Sequence, residues 1–123
     1  MNLLLIAIGG AIGSVARFLF SSLVQRVVPT LFPFGTFAVN VVGCIVFGLI
    51  AGVAARERVT LAPEARAFLL TGVLGGFTTF STFAFESVHL LSDGQFLWAA
   101  TNITGQVVAG LAGLWMGYLM TSA

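Results

Sequence analysis

The chain has 123 residues, 59% of them apolar and only 7% charged, with a mean hydropathy of +1.09. A soluble domain carries about 25% charged residues, and at about 20 residues per span this length holds four membrane helices and no soluble domain. Five arginines, no lysine and a net charge of +1 provide no basic run, which argues against a nucleic-acid partner.

The first apolar stretch, residues 2–24, lacks the basic start of a cleaved signal peptide. It continues past Arg17 into Phe18, Leu19 and Phe20, so it reads as a retained span. Gly9 and Gly13 stand four apart, the spacing at which membrane helix backbones approach closely. Arg17 is costly in lipid and must snorkel to the nearer interface or face protein; its place near the end of the span favours snorkelling. Pro29 and Pro33 punctuate the first connection. The second span covers residues 34–55, with Gly48 and Gly52 repeating the close-packing interval. Asn40 is the odd residue there. Its amide suits an interhelical hydrogen bond, or a donor facing a pathway. The lone Cys44 has no internal disulfide partner and reads as a small buried hydrophobe.

Arg56 to Arg66 is an acid–base mixture that reads as a solvated loop, and Pro63-Glu64 opens a third helix with a first-turn proline and acid. That span, residues 63–91, is long enough to contain an interruption. Its centre, residues 72–86, reads GVLGGFTTFSTFAFE. Gly75-Gly76 followed by Thr78-Thr79 weakens helix propensity, through backbone entropy and through side-chain bonding to the backbone. In a bilayer a break is tolerated only where its freed backbone groups are buried in protein or line a cavity. Thr79, Thr82 and Glu86 fall at i, i+3 and i+7 on one helical face; Phe77, Phe80 and Phe83 follow three-residue steps on another. His89, near the span's end, reads as interfacial. Ser92-Asp93-Gly94 leads tightly into the fourth span, residues 95–120. Trp98 and Trp115 lie toward its ends, where aromatic belts sit, and Gly113 and Gly117 repeat the small-residue spacing. Asn102, Thr104 and Gln106 make its first half polar.

No enzyme constellation is present: one histidine and one cysteine lack suitably placed acids, and the glycines lack the lysine of a phosphate-binding loop. What remains is hydroxyls, side-chain amides and aromatic ring edges, all electropositive toward a ligand. Together they would replace the water around a small, hard anion, where a full positive charge would hold it too tightly. Carbonyls freed near Gly75–Thr79 would instead suit an alkali cation. Glu86 could serve as the acid of a proton-coupled transporter. Four short helices barely enclose a pathway, so a second copy is expected. The weak arginine bias between the two sides is compatible with an antiparallel pair.

GGFTTFSTF at residues 75–83 followed by Glu86, the Asn40 segment GTFAVNVVG, and Arg17 in the first span resemble the Fluc/CrcB family of bacterial fluoride channels. The likeness runs over essentially the whole chain. It implies an all-α membrane protein of one domain, residues 1–123, with four transmembrane helices and the third broken near its middle. It further implies an antiparallel dual-topology homodimer in a bacterial inner membrane, exporting fluoride passively through two pores and rejecting chloride. Phe80 and Phe83 match the pore phenylalanines whose ring edges face the anion, and Asn40 the asparagine beside the pore. Thr79, Ser81 and Thr82 belong to the matching hydroxyl motif, Glu86 to the carboxylate after it, and Arg17 to the arginine assigned to the vestibule. Gly75 and Thr78 match the positions whose backbone carbonyls, two from each subunit, hold a structural sodium ion at the dimer interface.

The fourth span departs from some members. Where they carry a tyrosine and then serines along a polar track, Asn102, Gln106 and Gly110 stand here. Asn102 and Gln106 keep donors for the anion pathway; Gly110 has no side chain to offer one. A rival reading is a small antiparallel-dimer multidrug-type exporter, proton-coupled through Glu86. That class looks for a glutamate in the first span, where this chain has only Arg17. A packing subunit of a larger complex is opposed by the polar groups of the third and fourth spans, which would gain nothing.

Overall fold

A computed structural model describes residues 2–56 and 59–123. The elements in chain order are α1 (Asn2–Val27), α2 (Phe34–Ala54), α3 (Pro63–Arg66), a π-helical stretch (Ala67–Leu74), α4 (Gly75–Phe77), α5 (Phe80–Ser92) and α6 (Phe96–Ser122). Four helical segments are long and apolar enough to cross a membrane: Asn2–Val27, Phe34–Ala54, Pro63–Ser92 and Phe96–Ser122. The 21 residues of α2 rise about 30 Å, just the hydrocarbon thickness. The longer α1 and α6 therefore tilt or project beyond it.

The usual inside–outside pattern is inverted. Leu3, Phe18, Leu97, Leu111 and Met120 are exposed on the periphery. The buried positions of α1 are Gly9 and Gly13, and those of α6 are Ala99, Asn102, Gln106, Gly110, Gly113 and Gly117. Lipid tails are as apolar as leucine, so large apolar side chains gain nothing by turning inward and small residues take the contacts. The largest interfaces pair α2 with α6, and α1 with the π-helical stretch and α4. A methyl group on Gly48 would fall onto the Leu114 carbonyl oxygen, and one on Gly117 would stand 2.6 Å from that of Ile45. One on Gly9 would stand 2.6 Å from the Phe68 carbonyl oxygen. All three expected glycine pairs therefore mark real backbone approaches.

The connections are held by side chains. Gln25 donates to the carbonyls of Thr30 (3.0 Å) and Phe32 (3.2 Å) and accepts from the Gly35 N–H (3.1 Å). This pins Phe32, whose ring packs 5.4 Å from Trp98. Trp98 thus helps close a loop. Arg56 Nε donates to the Thr121 carbonyl at 2.5 Å and Thr121 Oγ1 to that of Leu49 at 2.7 Å, tying the ends of α2 and α6 together. In the expected solvated loop, Glu57 and Arg58 lie outside the described residues; Pro63 and Glu64 do stand in the first turn of α3.

The α5–α6 connection ends in a Schellman arrangement, with Gln95 N–H bonded to the Leu90 carbonyl (2.8 Å) and Gly94 N–H to that of Leu91 (3.1 Å). Gly94 has φ +74°, a region that costs an L-residue about 1–2 kcal/mol. Nothing lies within 4 Å of a Cβ added there, so the cost of Gly94→Ala is purely conformational. We expect Gly94→Ala to lower the thermal unfolding midpoint in detergent, and Gly94→Asn to lower it less. Equal midpoints for wild type and Gly94→Ala would contradict this.

Candidate functional site

The third membrane-length segment carries the site. After α4, Thr78 (φ −83°, ψ 159°) and Thr79 (φ −152°, ψ 117°) are both extended. Thr78 sends its N–H (3.0 Å) and its hydroxyl (3.1 Å) to the Leu74 carbonyl, the local competition with the helix ladder expected of threonine. Thr79 then caps α5: its Oγ1 accepts from Thr82 N–H (3.3 Å) and donates to Thr82 Oγ1 (2.9 Å), with Ser81 Oγ at 3.5 Å. A β-region threonine at an N-cap is the standard way to start a helix.

Asn40 supplies what this extended pair lacks. Its Oδ1 accepts from Thr79 N–H at 2.8 Å, and its Nδ2 donates to the Thr79 carbonyl at 2.9 Å. The side chain acts as a one-residue strand partner. Thr79 is 9% exposed, so without Asn40 both backbone groups would be left unpaired away from water. The interhelical-bond reading of Asn40 is therefore correct, and it also lines a cavity. That cavity, about 340 Å³, is bounded by Asn40, Cys44, Thr79, Phe80, Phe83 and Gln106, among others. Cys44 is half-buried at its wall, not sealed in a core. The Phe80 and Phe83 rings are 5.5 Å apart at 53°; Phe83 is buried, whereas Phe80 is 78% exposed.

On α6, Gln106 Oε1 accepts from Asn40 Nδ2 (2.7 Å) and Gln106 Nε2 donates to Asn102 Oδ1 (2.9 Å). Asn102 Nδ2 donates in turn to Ser87 Oγ (3.0 Å), and Ser87 to the Phe83 carbonyl (2.8 Å). Asn102 is fully buried. Glu86 lies one turn below Thr82; its Oε1 accepts from Thr36 Oγ1 at 2.6 Å, while Oε2 is buried without a partner.

Two further cavities flank the first. One, about 230 Å³, is lined by Ser14, Arg17, Ser21, Thr36, Thr79 and Thr82. The other, about 390 Å³, is lined by Ser21, Gln25, Thr36, Glu86 and His89 among others. They share Ser21 and Thr36, and Thr79 also borders the cavity beside Asn40. Arg17 is half-buried at the wall of the smaller of these two cavities. The Phe77–Phe80–Phe83 stripe does not survive, because the extended pair turns Phe77 onto Phe20 of α1, 6.0 Å away. His89 is exposed at the end of α5 and pairs with Asp93 at 3.4 Å. Gly75 is exposed, Thr78 half-buried. With helix ending at Phe77, no following turn supplies donors to the carbonyls from Gly75 to Thr78.

Thr36 and Ser87 were not singled out in the sequence, yet both bond site residues. Spacing alone held a signal for each: Thr36 stands one turn before Asn40, and Ser87 directly follows Glu86.

The family model described as CrcB-like protein, Camphor Resistance (CrcB), matches residues 4–118. The chain belongs to the CrcB-like family. Among its relatives is a "Fluoride-specific ion channel FluC" of Nitratidesulfovibrio vulgaris, 50% identical over 94% of this chain and 93% of that protein. A protein of the same name from Maridesulfovibrio salexigens is 50% identical over 97% of each. Another, from Methylobacillus flagellatus, is 46% identical over 95% of this chain and 91% of that one. With four helices long and apolar enough to span a membrane, this CrcB-like chain is a multi-pass protein of the bacterial inner membrane. Its named relatives are ion channels, a class that is not enzymatic.

Proposed function

We propose that this protein is a passive fluoride-selective channel that exports fluoride, rejects chloride, and works as an antiparallel dual-topology homodimer with two pores. The observation that carries the reading is the extended pair Thr78–Thr79, clamped by Asn40 within a membrane-length segment. In this reading the third span is a broken membrane helix, and the break opens the N-terminus of α5 inside the bilayer. A helix start presents N–H groups and partial positive charge, which favour an anion. Around that start stand the hydroxyls of Thr79, Ser81 and Thr82 and the rings of Phe80 and Phe83, whose edges are electropositive.

Many weak partial charges replace the water of a small, strongly hydrated anion without trapping it. A larger halide would fit the same close donors poorly. Arg17, in the neighbouring cavity, raises the local anion concentration as a vestibule charge. Glu86 closes the hydroxyl face beyond it, with Thr36 holding one oxygen. Phe80 is exposed on the single chain, and its opposing wall would come from a second copy.

A structural sodium ion fits the residues present. Gly75, which opens α4, and Thr78, just after it, offer carbonyl oxygens, and the described residues hold no cluster of histidine, cysteine or acidic side chains suited to a metal. Two carbonyls from each of two copies would surround the ion, which would neutralise converging dipoles at the interface.

The test is fluoride efflux from liposomes containing the purified protein, with a potassium ionophore present and chloride efflux run in parallel. Rapid fluoride release without chloride release, and without any proton gradient, is the expected result. Release that requires a proton gradient would favour an exporter using Glu86; no fluoride release from folded protein would overturn the channel reading.

A further inference from the structure

We infer that Asn102 and Gln106 are positioning residues, a one-way chain of buried hydrogen bonds that buttresses the Asn40 amide in the orientation the Thr79 backbone dictates. The chain has a defined polarity, set at the Thr79 end, where a backbone N–H can only donate and a carbonyl can only accept. At the far end the Ser87 hydroxyl, whose rotor can donate either way, donates to the Phe83 carbonyl (2.8 Å). Ser87 Oγ accepts from Asn102 Nδ2 (3.0 Å). Asn102 Oδ1 accepts from Gln106 Nε2 (2.9 Å), and Gln106 Oε1 from Asn40 Nδ2 (2.7 Å).

The chain thus meets Asn40 in the orientation it already holds on the extended backbone, with Oδ1 toward the Thr79 N–H. Rotating its amide by half a turn would set Oδ1 against Gln106 Oε1 and the NH₂ group against the Thr79 N–H. Both contacts would be repulsive. Ser87 is 4% exposed and Asn102 0%, so at that end of the chain water is not at hand to substitute for a missing link. A fully satisfied buried network of this kind selects one geometry.

This reassigns the two α6 amides. Asn102 does not border the cavity beside Asn40, and the groups of Gln106 that face Asn40 and Asn102 are already engaged. Asn102 reaches the pathway only through its neighbours, while Gln106 borders the cavity with its Oε1 and one Nε2 hydrogen already engaged. The flux readout rests on the proposed channel function; the orientation of Asn40 does not.

The experiment compares Asn102→Leu, Gln106→Met and the double variant in the liposome assay. In parallel, NMR follows the side-chain amide signals of Asn40 in selectively labelled protein. Each single change is expected to lower fluoride flux about tenfold, the scale of one lost hydrogen bond, and the double variant no further, since all three cut one chain. The Asn40 amide signals should shift alike in both singles. If Asn102→Leu leaves flux and the Asn40 signals as in wild type while Gln106→Met lowers flux, Gln106 acts directly on the anion and the inference fails. Additive losses in the double variant would also overturn it. Should Gln106→Met not assemble, Asn102→Ala and Ser87→Ala cut the same chain and are read against the same criteria. Wild-type protein that passes no fluoride would defeat the channel reading alone, because the Asn40 signals still report on the relay.

Discussion

Phe83→Ile is expected to lower fluoride flux by about a hundredfold while the fold and the clamp on Thr79 stay intact. Isoleucine keeps most of the apolar bulk, and a swap of this kind in a packed site usually costs less than about 1.5 kcal/mol of stability. What it lacks is the electropositive ring edge. Phe83 is 9% exposed, with its ring 5.5 Å from Phe80, at the wall of the cavity that also holds Asn40 and Thr79. A partly dehydrated anion that loses one favourable contact forfeits roughly 1.5–3 kcal/mol, up to about a hundredfold in rate. Its backbone carbonyl, which accepts from Ser87, is untouched by the substitution. The efflux assay, with size-exclusion chromatography to verify assembly, decides the matter. Wild-type flux in Phe83→Ile would remove the ring from the mechanism, whatever the fate of the other residues.

The membrane-spanning helices were legible because lipid imposes a composition: four long apolar stretches have no other stable form in so small a chain. The glycine contacts were legible for a related reason, since only small residues let backbones meet where no hydrophobic force drives helices together. The residue types of the site could be read too, because hydroxyls and amides are conspicuous in an apolar sequence. Their pairings could not. Asn40 bonds Gln106 and Thr79, 66 and 39 positions away, and no local pattern encodes such partners. Phe77 was misplaced because a three-residue period presumes one continuous helix, and two extended residues intervene. The π geometry of Ala67–Leu74 has no evident signal in AFLLTGVL. That stretch lies against α1 at Gly9 and Gly13, so tertiary packing is where its cause resides.

Gly13→Ala should damage stability and flux together, because the close packing of α1 sets the position of the site. A methyl group on Gly13 would overlap the Val73 carbonyl oxygen and stand 2.9 Å from the Phe77 nitrogen. These are backbone atoms, which do not rotate aside as a side-chain tip would. Inserting one methylene into a tight contact costs about 1–3 kcal/mol, and this site belongs at the upper end of that range. The displacement would not remain local. Phe77 is the last helical residue before Thr78 and Thr79, and those are tied to Asn40 on α2 by bonds of 2.8 and 2.9 Å. Moving α4 away from α1 lengthens the clamp beyond useful hydrogen-bond distance, so flux should fall at least about tenfold. Gly110→Ala is the matched control: its added methyl meets only Cys44 Sγ, at 3.4 Å, and should leave thermal midpoint and flux close to wild type. If Gly13→Ala lowers the midpoint but leaves flux unchanged, the α1 contact stabilises the fold without positioning the site. If Gly110→Ala proves the more damaging of the two, close packing at α1 is not what holds the clamp in place.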